Sequence, residues 1–265
     1  MPRKDLLLRV EGLEKRFGGI VAVSDYTLSL GENELMGLIG PNGAGKTTVF
    51  NMLSGILKPS RGRIFLNGEE ITSFSPSQTA KAGIARTFQN IRLFKDLSVL
   101  DNIKVAFHMH QGRNLFHTLC HTKKFCRTEE KIDREARGFG QMMGLGDLLD
   151  EPAKNLPYGD QRRMEIARAL AARPKVLLLD EPAAGMNHQE TADLMEIIRK
   201  IHSDYSMSIL VVEHDMHMVM NLCRRIQVLN QGRLLAQGTP GEIQESPEVI
   251  KAYLGAPKEK TDAEC

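Results

Sequence analysis

The chain has 265 residues, 42% of them hydrophobic, and a formal net charge of +2, enough to bury a full core as one α/β domain with room for an inserted subdomain. A charge so near balance marks out no polyanionic partner, and no nucleic acid is expected. The four cysteines, Cys120, Cys126, Cys223 and Cys265, form no CxxC pair and no disulfide frame, as suits a reducing cytosol.

In chain order, LLLRVEGL at 6–13 and YTLSL at 26–30 alternate apolar and polar residues. Together with RIFLNG at 63–68 they are expected to form an antiparallel side sheet. ELMGLI at 34–39, VLLL at 176–179 and ILVVE at 209–213 are short and nearly all apolar. Separated by longer helix-period stretches, they predict the central strands of a mostly parallel sheet covered by helices. From Gln89 to Asn155 strand signals give way to helical ones, opening at SVLDNI, where Ser98 followed by Asp101 resembles a capping box. This predicts one domain over 1–255, with a core of 1–89 and 158–255 and an inserted helical subdomain at 90–157. APKEKTDAEC at 256–265 is polar and aperiodic, so a flexible tail is expected there. The longest apolar runs fall far short of the roughly 20 residues of a spanning helix. MPRKDLLLRV lacks the apolar stretch of a secretion signal, so a cytoplasmic chain is expected.

GPNGAGKTT follows one of these strands and opens a helix, the context a phosphate-binding loop requires. Its glycines, 40, 43 and 45, let successive N–H groups turn inward around an anion, and the helix adds its positive end. Lys46 would reach the β- and γ-phosphates and the Thr47 hydroxyl would ligate Mg²⁺. KVLLLDEP ends a buried strand in two acids. Asp180 would hold Mg²⁺ through water and Glu181 would act as general base on the attacking water. Two adjacent acids also fit the start of a solvated loop, and the phosphate loop favours the nucleotide reading. Gln89, in RTFQN, would touch the Mg²⁺ or the lytic water, and His214, in VVEHD, would donate a hydrogen bond to the γ-phosphate. Each alone also fits an ordinary loop polar residue. Phe17, in KRFGG, would stack on a nucleobase, although a lone phenylalanine also fits a core. The ATP-binding set is therefore Phe17 with Gly40, Pro41, Asn42, Gly43, Ala44, Gly45, Lys46, Thr47 and Thr48; the metal set is Thr47, Gln89 and Asp180.

In this order and spacing the motifs resemble the ATP-binding cassette family, over nearly the whole chain up to Gly255. The wording LIGPNGAGKTTVFN, RTFQNIRLF, YGDQRRMEIAR, DEPAAGMN, EHDM and VIKAYLG is most similar to ATPase subunits of bacterial branched-chain amino-acid importers. The resemblance implies a phosphate-loop NTPase fold with ATP and Mg²⁺ as cofactors. It also implies two membrane-spanning permease subunits, a second related ATPase subunit in a heterodimer, and, indirectly, a substrate-binding protein. The chain would lie peripherally on the inner face of the membrane. It further gives a role to Leu156, Pro157, Tyr158, Gly159 and Asp160. In the family this turn covers the γ-phosphate held by the opposing cassette, because a helix beginning near Gly159 aims free N–H groups and its dipole at an anion. MEIARAL then continues with Met164, Ala167, Leu170 and Ala171 on one apolar face.

This chain departs from the family pattern at several points. The usual Leu-Ser-Gly-Gly-Gln reads Leu156-Pro157-Tyr158-Gly159-Asp160 here: a serine hydroxyl and an N–H are gone, and a carboxylate faces the phosphate. The importer subfamily accepts tyrosine at the third position. Asn187 stands where the family commonly has aspartate. Other readings are a cassette of lipopolysaccharide export or of urea or amide uptake, and a soluble cassette ATPase without a membrane. The first is disfavoured by LPYGD, and the last by the lack of a tandem cassette or coiled-coil insertion. The stretch from His108 to Arg127, with His117, Cys120, His121 and Cys126, fits no common zinc spacing; it reads as a solvated helical face or an edge meeting membrane subunits.

Overall fold

The computed structural model describes residues 6–107 and 123–254. The expected tail at 256–265 and most of the histidine- and cysteine-bearing stretch lie outside the described residues.

Among the described residues ten strands form two sheets. In the first, β1 (Leu6–Phe17) pairs antiparallel with β2 (Ile20–Gly31) on one side and with β4 (Arg61–Leu66) on the other, and β4 pairs with the short β5 (Glu69–Glu70). This is the expected side sheet. The second has six strands in the order β10-β9-β3-β8-β7-β6. Its parallel part is β3 (Leu35–Ile39), β6 (Ile84–Arg86), β7 (Val176–Asp180), β8 (Ser208–Val212) and β9 (Arg225–Asn230); β10 (Arg233–Gly238) closes the edge antiparallel to β9.

All residues of β3, β7 and β8 are buried, because both faces of this sheet are covered. Their side chains alternate between two cores. Leu177, Leu179, Ile209 and Val211 enter one, while Val176, Leu178, Leu210 and Val212 enter the other, with Met36 and Leu38. The second core is filled by the side sheet and by α1 (Lys46–Leu53), through Tyr26, Leu28, Phe50 and Ile64. The first core is helical, built from α3 (Val99–Phe107), α4 (Lys123–Met142), α5 (Tyr158–Ala171), α6 (His188–Tyr205) and α7 (Met216–Leu222). The remaining helices of the described residues are α2 (Pro76–Ala82), α8 (Pro240–Glu245) and α9 (Pro247–Leu254).

The helical signal after Gln89 resolves into α3 and α4, and the Ser98 hydroxyl accepts the Asp101 N–H at 3.0 Å, as a cap. Helix α5 packs against both α3 and α4. Met164, Ala167, Leu170 and Ala171 are its buried stripe, as expected. Among the described residues no helix is long and apolar enough to cross a membrane, and no cluster of His, Cys, Asp or Glu is arranged to hold a metal.

Candidate nucleotide site

The site forms at the carboxyl ends of β3, β7 and β8, where a parallel sheet leaves a crevice. From β3 the chain turns through Gly40–Gly45 into α1. Two glycines here are obligatory. A Cβ at Gly40 would lie 2.1 Å from the Leu229 carbonyl oxygen. Gly45, which caps α1 in the left-handed region at φ 103°, would place one 2.7 Å from the Ala22 carbonyl. The loop is pinned from outside as the Gly232 N–H donates to the Ala44 carbonyl at 2.9 Å, and internally as the Ala44 N–H donates to Pro41 at 3.1 Å. Asn42, Gly43 and Thr47 are exposed, and Thr48 is half-buried.

The Lys46 ammonium is buried over its own loop, donating to the carbonyls of Gly40 at 2.6 Å and Pro41 at 3.1 Å. Burial pushes it below the usual lysine range, against the opposing pull of Glu181 and Asp180. Phe17 ends β1 with an exposed ring, and the Lys15 ammonium lies 5.2 Å from the ring centroid.

Asp180 ends β7 buried, its carboxylate taking a hydrogen bond from Arg86 at 2.7 Å. Arg86 also bonds Asn51 at 2.7 Å and Ser54 at 3.0 Å, so the acid at the end of β7 is fastened to α1 behind the phosphate loop. Glu181 follows in the left-handed region at φ 46°, its N–H held by the Val212 carbonyl at 2.8 Å. Such strain in a non-glycine residue costs about 1–3 kcal/mol and persists where the surroundings enforce it. One Glu181 carboxylate oxygen accepts from the Gln89 amide at 2.7 Å, and the other lies 3.9 Å from Nδ1 of His214. Glu181, the expected base, thus meets Gln89, expected at the Mg²⁺ or the lytic water, and His214, expected at the γ-phosphate, although they come from three different loops.

The buried carboxylate of Glu213, at the end of the strand expected over 209–213, accepts the N–H groups of Ala183 at 2.9 Å and His214 at 3.1 Å, tying the loop after Glu181 to the loop bearing His214. Burial pushes its pKa up, partly offset by these hydrogen bonds. Arg86, Arg162, Glu165 and Glu213 were not among the expected site residues. Charged residues one turn apart on the apolar side of a helix, as in RRMEIAR, were the available signal for the middle two.

Helix α5 starts at Tyr158, with Pro157 as its N-cap and no side chain capping its first turn. Leu156 and Gly159 are buried, Pro157 and Tyr158 exposed, and Asp160 half-buried. The Asp160 carboxylate lies 3.7 Å from Arg163, and Tyr158 reaches back to Arg162 at 3.2 Å. A Cβ at the buried Gly159 would lie 3.4 Å from the Glu190 carboxylate of the same chain, in ordinary contact. Asn187 caps α6 in a reciprocal box with Glu190.

A glycine-bent loop leading into a helix, with a lysine over it and two acids at the next strand end, defines a phosphate-loop nucleotide-binding ATPase domain. Residues 23–184 match the ABC transporter family, and residues 233–259 match a family described as branched-chain amino acid ATP-binding cassette transporter. The chain belongs to the ABC transporter family, as its ATPase domain. It is 48% identical over 250 residues to the high-affinity branched-chain amino acid transport ATP-binding protein LivG of Salmonella typhimurium, covering 94% of this chain and 98% of that one. With the corresponding protein BraF of Pseudomonas aeruginosa it shares 46% over 249 residues, at the same coverage. The lipopolysaccharide export system ATP-binding protein LptB of Haemophilus influenzae is 31% identical over 249 residues, covering 94% of this chain and 97% of its own. Among solved structures, a nucleotide-free ATP-binding cassette from an ABC transporter superposes with a TM-score of 0.81 at 28% identity, over 95% of this chain and 100% of that one.

Proposed function

We propose that this chain is the ATP-hydrolysing subunit of a bacterial importer of branched-chain amino acids. The observation that carries the catalytic reading is the meeting of Gln89, Glu181 and His214 at the mouth of a phosphate loop. Near 48% identity to a branched-chain amino acid cassette, against 31% to a lipopolysaccharide one, favours the importer over export.

ATP would lie with its base on Phe17 and its phosphates along Gly40–Thr48. The Lys46 ammonium would exchange its loop carbonyls for β- and γ-phosphate oxygens. The Glu181 carboxylate takes a proton from the attacking water, Gln89 orients that water, and His214 donates to the γ-phosphate. The oxygen donors suit Mg²⁺: the exposed hydroxyl of Thr47, the amide oxygen of Gln89 and, through water, the Asp180 carboxylate. When bound, Mg²⁺ supplies charge neutralisation at the β- and γ-phosphates. The uncapped first turn of α5, from Leu156 to Asp160, would complete the site of a second cassette.

A groove of about 640 Å³ lies between the sheet and the helical segment, lined by Ile56, Phe88, Leu93, Phe94, Val105 and Glu165 among others. Its apolar walls suit a helix of a permease subunit, which would hold the chain against the inner face of the membrane. In this reading two permeases, a second related cassette and a substrate-binding protein complete the transporter.

Glu181→Gln tests the catalytic reading: nucleotide binding should persist while hydrolysis slows by roughly 10² to 10⁴. Wild-type turnover in that variant would place the base elsewhere. For the substrate, vesicles carrying the complete transporter should accumulate labelled leucine on supply of internal ATP; failure to do so while ATP is hydrolysed would sink the importer assignment.

A further inference from the structure

Arg162 is the largest fully buried side chain among the described residues, and it lies one turn after Tyr158 on α5. One guanidinium nitrogen donates to the Phe88 carbonyl at 2.6 Å and to Glu165 at 3.1 Å. The other donates to the Gln89 carbonyl at 2.9 Å and to the Tyr158 hydroxyl at 3.2 Å. Glu165, 1% exposed, accepts the Phe88 N–H at 3.2 Å. The Phe88 peptide is therefore gripped at both its N–H and its carbonyl, and the next carbonyl belongs to the residue whose amide meets Glu181 at 2.7 Å.

This pair is a poor device for stability alone. Two desolvated charges commonly do no better than apolar residues of the same volume, and the Arg162 Nε is buried with no partner among the described residues. Its geometry is specific, however. The two terminal nitrogens of a planar fork reach four acceptors here, the carbonyls of Phe88 and Gln89, Glu165 and Tyr158, one more than the three protons of an ammonium can serve.

We propose that Arg162 and Glu165 are positioning residues: a clamp that fixes the backbone of Phe88 and Gln89, sets where the Gln89 amide meets Glu181, and locks that placement to the first turn of α5. Helix α5 is the rigid link. A displacement at Tyr158 and Gly159, the turn offered to a second cassette, is carried by Arg162 to Gln89 in the chain's own site. The inference rests on the catalytic reading above for its kinetic consequence and on the hydrogen bonds alone for its structural one, so the two are tested separately.

The variant is Arg162→Lys, which keeps a buried cation opposite Glu165 but lacks the fork. In the full chain without nucleotide, hydrogen exchange across residues 86–92 should accelerate by roughly tenfold or more, while the rest of α5 keeps its protection. In the assembled transporter, kcat should fall by roughly 10- to 100-fold with KM for ATP within about twofold, the mark of a misplaced catalytic group. In a Gln89→Ala background the same change should cost nothing further, because the group it positions is gone. The double variant Arg162→Met, Glu165→Gln, which removes both charges, should behave as Arg162→Lys does and keep a Tm near wild type. Unchanged exchange at 86–92 would overturn the clamp even if the wild-type chain proved to hydrolyse no ATP. An equal loss of kcat with and without Gln89, or a rise in KM with kcat intact, would show a pair that serves only the fold.

Discussion

Replacing Lys46 with methionine removes the ammonium while keeping most of the buried stem. In the structure that ammonium donates to two carbonyls of its own loop, at 2.6 and 3.1 Å. On nucleotide binding it would exchange both for phosphate oxygens. Hydrogen bonds between charged partners contribute about 1.5–3 kcal/mol each, and those given up about 1 kcal/mol each. The net loss on substitution is then about 1–4 kcal/mol, or roughly 5- to 700-fold in Kd. The effect on the empty protein has a different sign to consider. Because burial depresses the Lys46 pKa, its charged form is disfavoured in the folded state relative to the unfolded one; the stability it contributes is present above the ordinary lysine pKa and lost as pH falls through its folded pKa. Methionine escapes that penalty and forfeits the two loop bonds, so Tm without nucleotide should move by no more than about 2–4 °C. Titration with a fluorescent ATP analogue in the presence of Mg²⁺, paired with thermal melts, measures both. A Kd within threefold of wild type would refute the phosphate-loop placement of the lysine. A Tm collapse would show that the loop, rather than the ligand, depends on it.

Other outcomes follow from single features of the structure. Asn187→Ala removes the cap of α6 and should cost about 1 kcal/mol, lowering Tm by about 2–4 °C in a scanning melt; no change would mean that the first turn of α6 is held by other contacts. Burial pushes the Cys223 thiol up to about 12 from an ordinary 9.0. Its contribution to stability is therefore present below about pH 9 and lost as pH rises toward 12, a slope that Cys223→Ala should flatten in denaturant titrations and that, if unaltered, belongs to other groups such as the buried Tyr26. Asp160→Gln removes a half-buried carboxylate from the turn proposed to meet a second cassette. Since Arg163 at 3.7 Å already offsets part of that charge, the change should tighten ATP-driven dimerisation by no more than about 1 kcal/mol in sedimentation; weaker dimerisation would show the carboxylate to be favourable there.

The central strands were legible because a sheet covered on both faces writes itself as unbroken apolar runs, and β3, β7 and β8 are such runs. The strands not expected each lack that signature for a physical reason. With only three residues, β6 shows no period. In β9 the run is interrupted by Gln227, buried at the junction of the two sheets, where it takes a hydrogen bond from the Tyr26 hydroxyl at 2.7 Å and donates to the Thr27 carbonyl at 3.1 Å. A polar residue bonded across a tertiary contact resembles a surface residue in sequence. Strand β10, at the sheet edge, is half exposed along its length and never becomes apolar enough to stand out.

The site divides along the same line. Residues whose function depends on local backbone, such as Gly40, Gly45 and Lys46, were visible in a nine-residue window, since a loop between a strand and a helix carries its own geometry. Residues that act through partners far along the chain were not: nothing near Arg162 in sequence announces the carbonyls of Phe88 and Gln89. Gly159 shows why the difference matters for the signature turn. Read locally, it brings backbone N–H groups toward a second nucleotide, and a bulky substitution there would serve to test that role. In the fold its missing side chain faces Glu190, and Glu190 is the residue that closes the cap of α6 on Asn187. An arginine at 159 would bring a long side chain against that carboxylate as well as onto the turn, so loss of dimerisation in such a variant would not by itself separate the two roles. The turn and the start of α6 are one packed unit, and the change that isolates the surface offered to a partner is at Asp160, whose side chain is half exposed and whose described ion pair, with Arg163, lies within α5 itself.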